Sequence, residues 1–261
     1  MKLALLGYGR MGHEVERLAM AQGHEVGVRL DADDNPAGAG ITAAAFASID
    51  AAIDFSVPTA VFENIDRATD VGVPLVVGTT GWDDRIDEVR RLVDERDAAV
   101  VYGANLSIGA NLFFRIAEHA ARLFDAIGEH ADYDPYVLEH HHRNKVDAPS
   151  GTALHLAGLV TEAISAKKTI QAGNPEAAID AEALHVASLR AGTAFGEHTV
   201  GFDGTADTVK LTHTARSREG FAAGALLAAQ WIVGKKGCFE FGSVLDEILA
   251  RNGTRGSSSA R

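Results

Sequence analysis

The chain has 261 residues, of which 46% are hydrophobic and 23% charged, with a formal net charge of −12. That length suits one large domain or two ordinary ones, the apolar share can fill a real core, and the acidic balance argues against a nucleic-acid-binding surface. The single cysteine, Cys238, excludes an internal disulfide and a cysteine-rich zinc site, and fits a reducing compartment.

In chain order, "KLALL" (2–6) predicts a short buried strand. "GYGRMG" (7–12) follows, then helical spacing through "HEVERLAMAQG" to Gly23, then a second strand, "HEVGVRL". The opening apolar run imitates a signal peptide, but it is short and broken by Gly7, Gly9 and Arg10. No window reaches the roughly 18 apolar residues of a membrane span, so a cytoplasmic protein without a membrane partner is expected. "AAIDFS" (51–56), "PLVVG" (74–78) and "AAVVYG" (98–103) are further apolar runs, with amphipathic stretches at 58–71 and 83–96 between them. This alternation predicts a parallel sheet covered on both faces.

The pattern changes after about residue 105. "IGANLFFRIAEHAARLF" predicts a long helix, "DPYVLEH" a strand, and 150–166 another helix. Then "LHVASLRAG", "GEHTVGFDG" and "DTVKLTHTA" alternate as strands with one exposed or partner-facing surface. "GFAAGALLAAQWIVG" predicts an apolar helix. The motif "KKGCFEF" reads as packing around Cys238 rather than as a nucleophile site, and "NGTRGSSSAR" (252–261) as a disordered tail. The fold class expected is α/β: a Rossmann-type dinucleotide-binding domain and a second, α+β domain.

Gly7, Gly9 and Gly12 have G-x-G-x-x-G spacing between a predicted strand and helix, and Asp31 ends the second strand. One glycine makes the tight turn, one lets backbone approach a pyrophosphate, and one lets helix pack on strand. The helix start offers free N–H groups, and Asp31 can accept from a ribose. NADH or NADPH is the cofactor this implies. The Gly78-Thr79-Thr80 loop reads either as a contact for the nicotinamide end or as an ordinary strand-to-helix turn with a Thr cap.

"EHHHRNKVDAPSGTA" (139–153) crowds three histidines, an arginine and a lysine ahead of a Pro-Ser-Gly-Thr turn. On a strand only His140 and His142 share a face, and no metal-ligand spacing accompanies them, so no metal is expected. Ser150 can cap a helix whose first turn holds Gly151 and Thr152. With Lys145 nearby, that helix start points to a small anionic substrate, and a histidine there can move protons near neutral pH.

This stretch strongly resembles the signature E-x-H-H-R-x-K-x-D-A-P-S-G-T-A of the dihydrodipicolinate reductase (4-hydroxy-tetrahydrodipicolinate reductase) family of bacterial diaminopimelate and lysine biosynthesis. "GYGRMG", "AIDFS", "VVGTTGW", "GANLSIGANL", "RAG" with "GEHTVGF", and "LTHTARSREGFAAGAL" extend the resemblance over roughly residues 1–250. The resemblance implies a dinucleotide domain at 1–106 plus 219–261. It implies a substrate and tetramerisation domain at 107–218, with hinges near 105–109 and 215–220 and a homotetramer joined through the substrate-domain sheets. Hydride would pass to C4 of a cyclic unsaturated dicarboxylate. His141 would do acid/base work and Lys145 would donate the proton. His142, Lys145, Ser150, Gly151 and Thr152 would hold carboxylates, with Arg218 near the same pocket. Gly7, Gly9, Arg10, Met11, Gly12, Asp31, Gly78, Thr79, Thr80, Ala104 and Asn105 would contact the cofactor.

Two positions depart from the family. His140 stands where a small residue is frequent and is taken as structural or solvent-facing. Ala32 stands where some members carry an arginine that would meet a 2′-phosphate, which leaves NADH against NADPH open, with NADH modestly favoured by Asp31. The glycine loop and Asp31 would serve another two-domain reductase, such as an aspartate or homoserine dehydrogenase, equally well. A non-enzymatic nucleotide sensor is a further alternative. The 139–153 stretch argues against both.

Overall fold

The computed structural model describes residues 1–130 and 132–256 and divides into two compact units, one formed by Met1–Ile108 with the chain from Arg218 onward, the other by Gly109–Ser217. The first unit begins with β1 (Lys2–Leu6), α1 (Arg10–Ala21) and β2 (Glu25–Leu30). A short helix, α2 (Ala43–Phe46), then β3 (Ala51–Asp54), α3 (Pro58–Asp70), β4 (Leu75–Val77), α4 (Ile86–Glu95) and β5 (Ala99–Tyr102) follow. The chain then builds the second unit: α5 (Ile108–Ile127), β6 (Tyr133–His141), α6 (Gly151–Ala163), β7 (Thr169–Ala172), β8 (Ala183–Arg190), β9 (Gly196–Gly204) and β10 (Thr208–Ala215). It returns to the first unit through α7 (Glu219–Ile232), β11 (Gly237–Glu240) and α8 (Phe241–Gly256).

The first unit's sheet is parallel throughout, in the order β11-β5-β4-β3-β1-β2. Leu3, Ala4, Leu5 and Leu6 of β1 are all buried, as a central strand covered on both faces requires. Each such leucine contributes about 1.5–3 kcal/mol of burial. On one face Val15 and Ala19 of α1 pack with the small residues Ala222, Ala225 and Ala229 of α7. That close packing tolerates no side chain at Gly224, where a Cβ would lie 1.7 Å from the Leu106 carbonyl oxygen. Because β1 is flanked by β2 and β3, the order of connections reverses beside it. Such a switch opens a crevice beyond the carboxyl ends of the strands, above the glycine loop.

The second unit's sheet is mixed, in the order β10-β9-β6-β8-β7. Strand β6 pairs antiparallel with β9 and parallel with β8. Val137, Leu184, Val186, Val200 and Phe202 face α5 and α6 and form the core with Phe113, Phe114, Leu156 and Val160. By the period of two, Tyr136, Leu138 and Leu189 point the other way. Leu138 is 42% and Leu189 51% exposed, and the Tyr136 ring lies across Gly201, where a Cβ would come within 2.2 Å of it.

Two strands carry no pattern that the sequence reading used. Strand β7 is exposed at every position, and β11 is a short edge strand after a Lys-Lys pair. Edge strands need no alternation, because only their ladder is shared. The expected disordered tail also needs correction in part: α8 runs to Gly256, and residues 257–261 lie outside those described.

Candidate active site

The glycine loop divides its work as its spacing predicts. Gly7 has φ +83°, and a Cβ there would lie 2.4 Å from the Phe55 carbonyl oxygen. Gly12 lies so close to the Gly7 carbonyl, 2.5 Å from where its Cβ would be, that only glycine lets α1 meet the turn. Gly9 is the N-cap of α1 and has open space above it, with nothing within 4 Å of where a Cβ would stand. No side chain caps this helix start and no acidic residue occupies its first turn, so its N–H groups suit an anion. A cavity of about 220 Å³ adjoins it, lined among others by Gly7, Gly9, Asp31, Ala32, Asn35 and Ser56. Its open floor and its carboxylate fit the phosphates and ribose of a dinucleotide.

Asp31 follows β2 directly, is exposed, and accepts from the Ala32 N–H at 3.0 Å. Arg29 does not neutralise it. Its guanidinium pairs with Glu16 (Nε at 3.0 Å) and lies 5.9 Å from the centre of the Tyr8 ring, whose hydroxyl also bonds Glu16. Arg10 is exposed and Met11 half-buried at the start of α1.

Asp54, to which the sequence reading gave no role, organises the next two loops. It ends β3 fully buried. Its Oδ1 accepts from the Ser56 N–H (2.8 Å), the Ser56 hydroxyl (2.7 Å) and the Thr79 hydroxyl (2.9 Å). Its Oδ2 accepts from Asn64 at 2.8 Å, and Asn64 in turn accepts from Asn35 at 2.7 Å. Burial pushes this carboxyl up, against the pull of its donors. Thr79 therefore points inward, and α4 starts at Ile86 without a side-chain cap, so the loop is not a Thr-capped turn. Thr80 and Ala104 are exposed, Gly78 packs on the Phe55 ring, and Asn105 accepts from the Ser107 N–H at 2.9 Å.

In the second unit the crowded stretch closes around Glu139, which has no exposed surface. Its Oε1 accepts from the Ser150 N–H (2.9 Å), the Ser188 hydroxyl (2.7 Å) and Arg190 (2.7 Å). Its Oε2 stands 2.6 Å from Nδ1 of His141. The Ser150 hydroxyl accepts from the Ala153 N–H at 3.2 Å, capping α6, and lies 3.3 Å from Nε2 of His198. With Ser150 so engaged, the N–H groups of Gly151 and Thr152 head the helix, and no atom lies within 4 Å of where a Gly151 Cβ would be. Lys145 reaches Asp147 at 2.8 Å. His142 is half-buried and donates its backbone N–H to Ala194 at 2.8 Å. The ring of His140 bonds the Ala191 carbonyl at 3.1 Å. Arg218 falls in the first unit, at the N-cap of α7.

Burial alone would raise the Glu139 carboxyl, but Ser188, Arg190 and Ser150 bring it down to about 2. Burial pushes His198 down to about 4, helped by His141. Burial also lowers His141, as do Lys145 and Arg190, while Glu139 opposes them. Sequence reasoning missed Ser188, Arg190 and His198. The quoted "RAG" and "GEHTVGF" contained two of them without assigning a role.

The donor atoms of Glu139, His141 and His198 lie within 4.8 Å of one another, close enough for a metal by distance alone. Their chemistry argues otherwise. Two ligands of one zinc ion, each at about 2.1 Å, stand roughly 3.4 Å apart, whereas Glu139 and His141 approach to 2.6 Å, a proton-sharing distance. Arg190 already supplies the counter-charge. Cys238 lies on β11, and burial raises its thiol to about 11, far from a reactive thiolate.

Two family models match the chain: "Dihydrodipicolinate reductase, N-terminus" over residues 1–106 and "Dihydrodipicolinate reductase, C-terminus" over 109–245. The 4-hydroxy-tetrahydrodipicolinate reductase of Christiangramia forsetii is 36% identical over 249 residues, 95% of this chain and 99% of that one. That of Halorhodospira halophila is 42% identical over 195 residues, 73% of this chain and 70% of that one. Among solved structures, the dipicolinate-bound dihydrodipicolinate reductase of Paenisporosarcina sp. TG-14 matches with a TM-score of 0.71 at 23% identity, covering 92% of this chain and 97% of that one, a likeness of fold.

Proposed function

The chain belongs to the dihydrodipicolinate reductase family, and from that premise we propose how its two units share the reaction. The enzyme reduces 4-hydroxy-tetrahydrodipicolinate to tetrahydrodipicolinate with NADH or NADPH, on the route to diaminopimelate and lysine. The first unit holds the nicotinamide cofactor, which supplies the hydride. The Gly9 N-cap faces its phosphates and Asp31 its adenosine ribose. The second unit holds the dicarboxylate at the start of α6, and the reductase of Paenisporosarcina sp. TG-14 binds dipicolinate, a flat molecule of that class.

The observation that carries this reading is one carboxylate with two duties. Glu139 bonds the N-cap residue of an anion-binding helix with one oxygen and meets the imidazole of His141 with the other. Anion site and proton-handling group are thereby fixed to each other. Lys145 rests on Asp147, whose side chain is 55% exposed. Such a pair is worth little, so a substrate carboxylate can take over the ammonium at small cost. From there Lys145 gives a proton to the ring as hydride arrives, with His141 assisting. His142 and Thr152 complete the carboxylate contacts within the second unit.

Asp31, with Arg29 engaged by Glu16, favours NADH modestly. The uncovered face carrying Tyr136, Leu138 and Leu189 supports assembly into a homotetramer through the second unit's sheet. Among the described residues no helix is long and apolar enough to cross a membrane. We place the enzyme in the cytoplasm, where reduced nicotinamide is supplied.

The test is cofactor oxidation with freshly generated substrate. His141→Gln lowers kcat by about 10²-fold while His140→Ala has little effect. Lys145→Ala impairs kcat and KM together. Pyridine-2,6-dicarboxylate competes with substrate. If it binds no better than a monocarboxylate, the two-anion pocket is wrong.

A further inference from the structure

Glu139 is buried beyond the reach of water, and a carboxylate in that position must be matched by donors or lose its charge. Three donors converge on Oε1, and two of them come from β8: Ser188 stands opposite Glu139 in the parallel ladder, and Arg190 opposite His141. Across β9, His198 stands opposite Glu139. The carboxylate is thus set by the register of three strands. Arg190 is itself held by the Asp147 carbonyl at 2.5 Å.

Oε2 and Nδ1 of His141 are both buried, and apart from their 2.6 Å approach neither has a hydrogen-bond partner among the described residues. The other ring nitrogen lies over β9. A Cβ on Gly196 would come within 2.8 Å of Nε2, so only glycine there leaves room for that nitrogen.

We infer that Glu139 is a positioning residue for the reduction, acting through His141 by keeping its proton on Nδ1. Nε2 is then the nitrogen that exchanges a proton during turnover. The inference rests on the assignment of His141 and α6 made above. A carboxylate facing one imidazole nitrogen selects the tautomer with hydrogen there and orients the ring. Arg190 and the two serine donors keep that carboxylate charged, so it accepts and does not donate. Glu139→Gln removes this selection, because an amide can present either oxygen or NH₂ to the ring.

Nitrogen-resolved NMR of the imidazoles in the intact wild-type enzyme, with the His141 signals assigned by their loss in His141→Gln, reads the tautomer directly. The expected result is neutral His141 with its proton on Nδ1, shifting toward Nε2–H in Glu139→Gln. Kinetically, Glu139→Gln lowers kcat by about 10²-fold in the wild-type background. In the His141→Gln background it costs about twofold at most, because a residue acting through another has nothing left to act on. Cofactor binding, followed by nucleotide fluorescence, stays unchanged. A proton on Nε2 in the wild-type enzyme overturns the inference, and this measurement needs no variant at position 139 to fold. So does an equal loss of kcat in both backgrounds, which would mark a structural role alone. Failure of the underlying assignment shows separately, as a His141→Gln enzyme with undiminished kcat.

Discussion

The Thr79 hydroxyl donates to the buried Asp54 carboxylate at 2.9 Å, tying the loop after β4 to the end of β3. Through Ser56 and Asn64 the same carboxylate fixes two walls of the cavity beside the glycine loop. Four donors meet it, and an amide there would turn NH₂ toward at least one of them. Asp54→Asn should therefore cost about 1–3 kcal/mol of stability and raise KM for the cofactor more than KM for the dicarboxylate. Urea unfolding and steady-state kinetics check both. An unchanged cofactor KM would confine Asp54 to a folding role.

Acid should destabilise the enzyme in two stages. His198 is held neutral, with its folded pKa lowered to about 4 from 6.5, so its contribution is complete above 6.5 and is lost as pH falls through 4. Glu139 lies at about 2 against 4.5, so its contribution is complete above 4.5 and fades toward 2. Melting temperature should begin to fall below about pH 6.5, with His141 shifted in the same direction. His198→Asn should flatten the slope between about 6.5 and 4 and leave the slope below it. Parallel curves for the variant and the wild type would contradict this.

Cofactor preference should depend on a residue that never touches the ribose. Arg29 is paired with Glu16 and lies 5.9 Å from the centre of the Tyr8 ring, and it forms no ion pair with Asp31. The repulsion between Asp31 and a 2′-phosphate is then left largely uncompensated, which predicts roughly tenfold higher kcat/KM for NADH at low salt. Glu16→Gln frees Arg29 and should narrow the gap, as should high salt. A strong NADPH preference that Arg10→Ala abolishes would instead make Arg10 the phosphate partner.

Assembly should fail when the uncovered sheet face is charged. Leu138 and Leu189 are 42% and 51% exposed, so Leu138→Glu with Leu189→Glu costs a lone subunit little but buries two carboxylates in a sheet-to-sheet contact. Sedimentation velocity should show the proposed tetramer replaced by smaller species. A variant that still sediments as the wild type does would place the contact elsewhere.

Much of the first unit could be read without its coordinates. Gly7, Gly9, Gly12 and Asp31 lie within one strand–helix–strand unit, where spacing along the chain fixes spacing in space. The start of α6 was legible for the same reason, since Ser150, Gly151 and Thr152 are consecutive. Edge strands β7 and β11 escaped because a shared ladder on one side imposes no apolar alternation.

What the sequence determined by itself is the set of local elements: a glycine turn between strand and helix, a helix start capped by Ser150, and a histidine and a lysine close to it in the chain. What only the tertiary structure decided is how they are held. Ser188 and Arg190 stand 49 and 51 residues beyond Glu139 in the chain and reach it only through the register of β6 and β8. The partner of Arg29 on α1, and the place of Arg218 at the head of α7, were equally out of sight. Strand register is the joint outcome of many long-range contacts, each worth about a kilocalorie or less. No local pattern encodes that sum, so the residue types were legible and their partners were not.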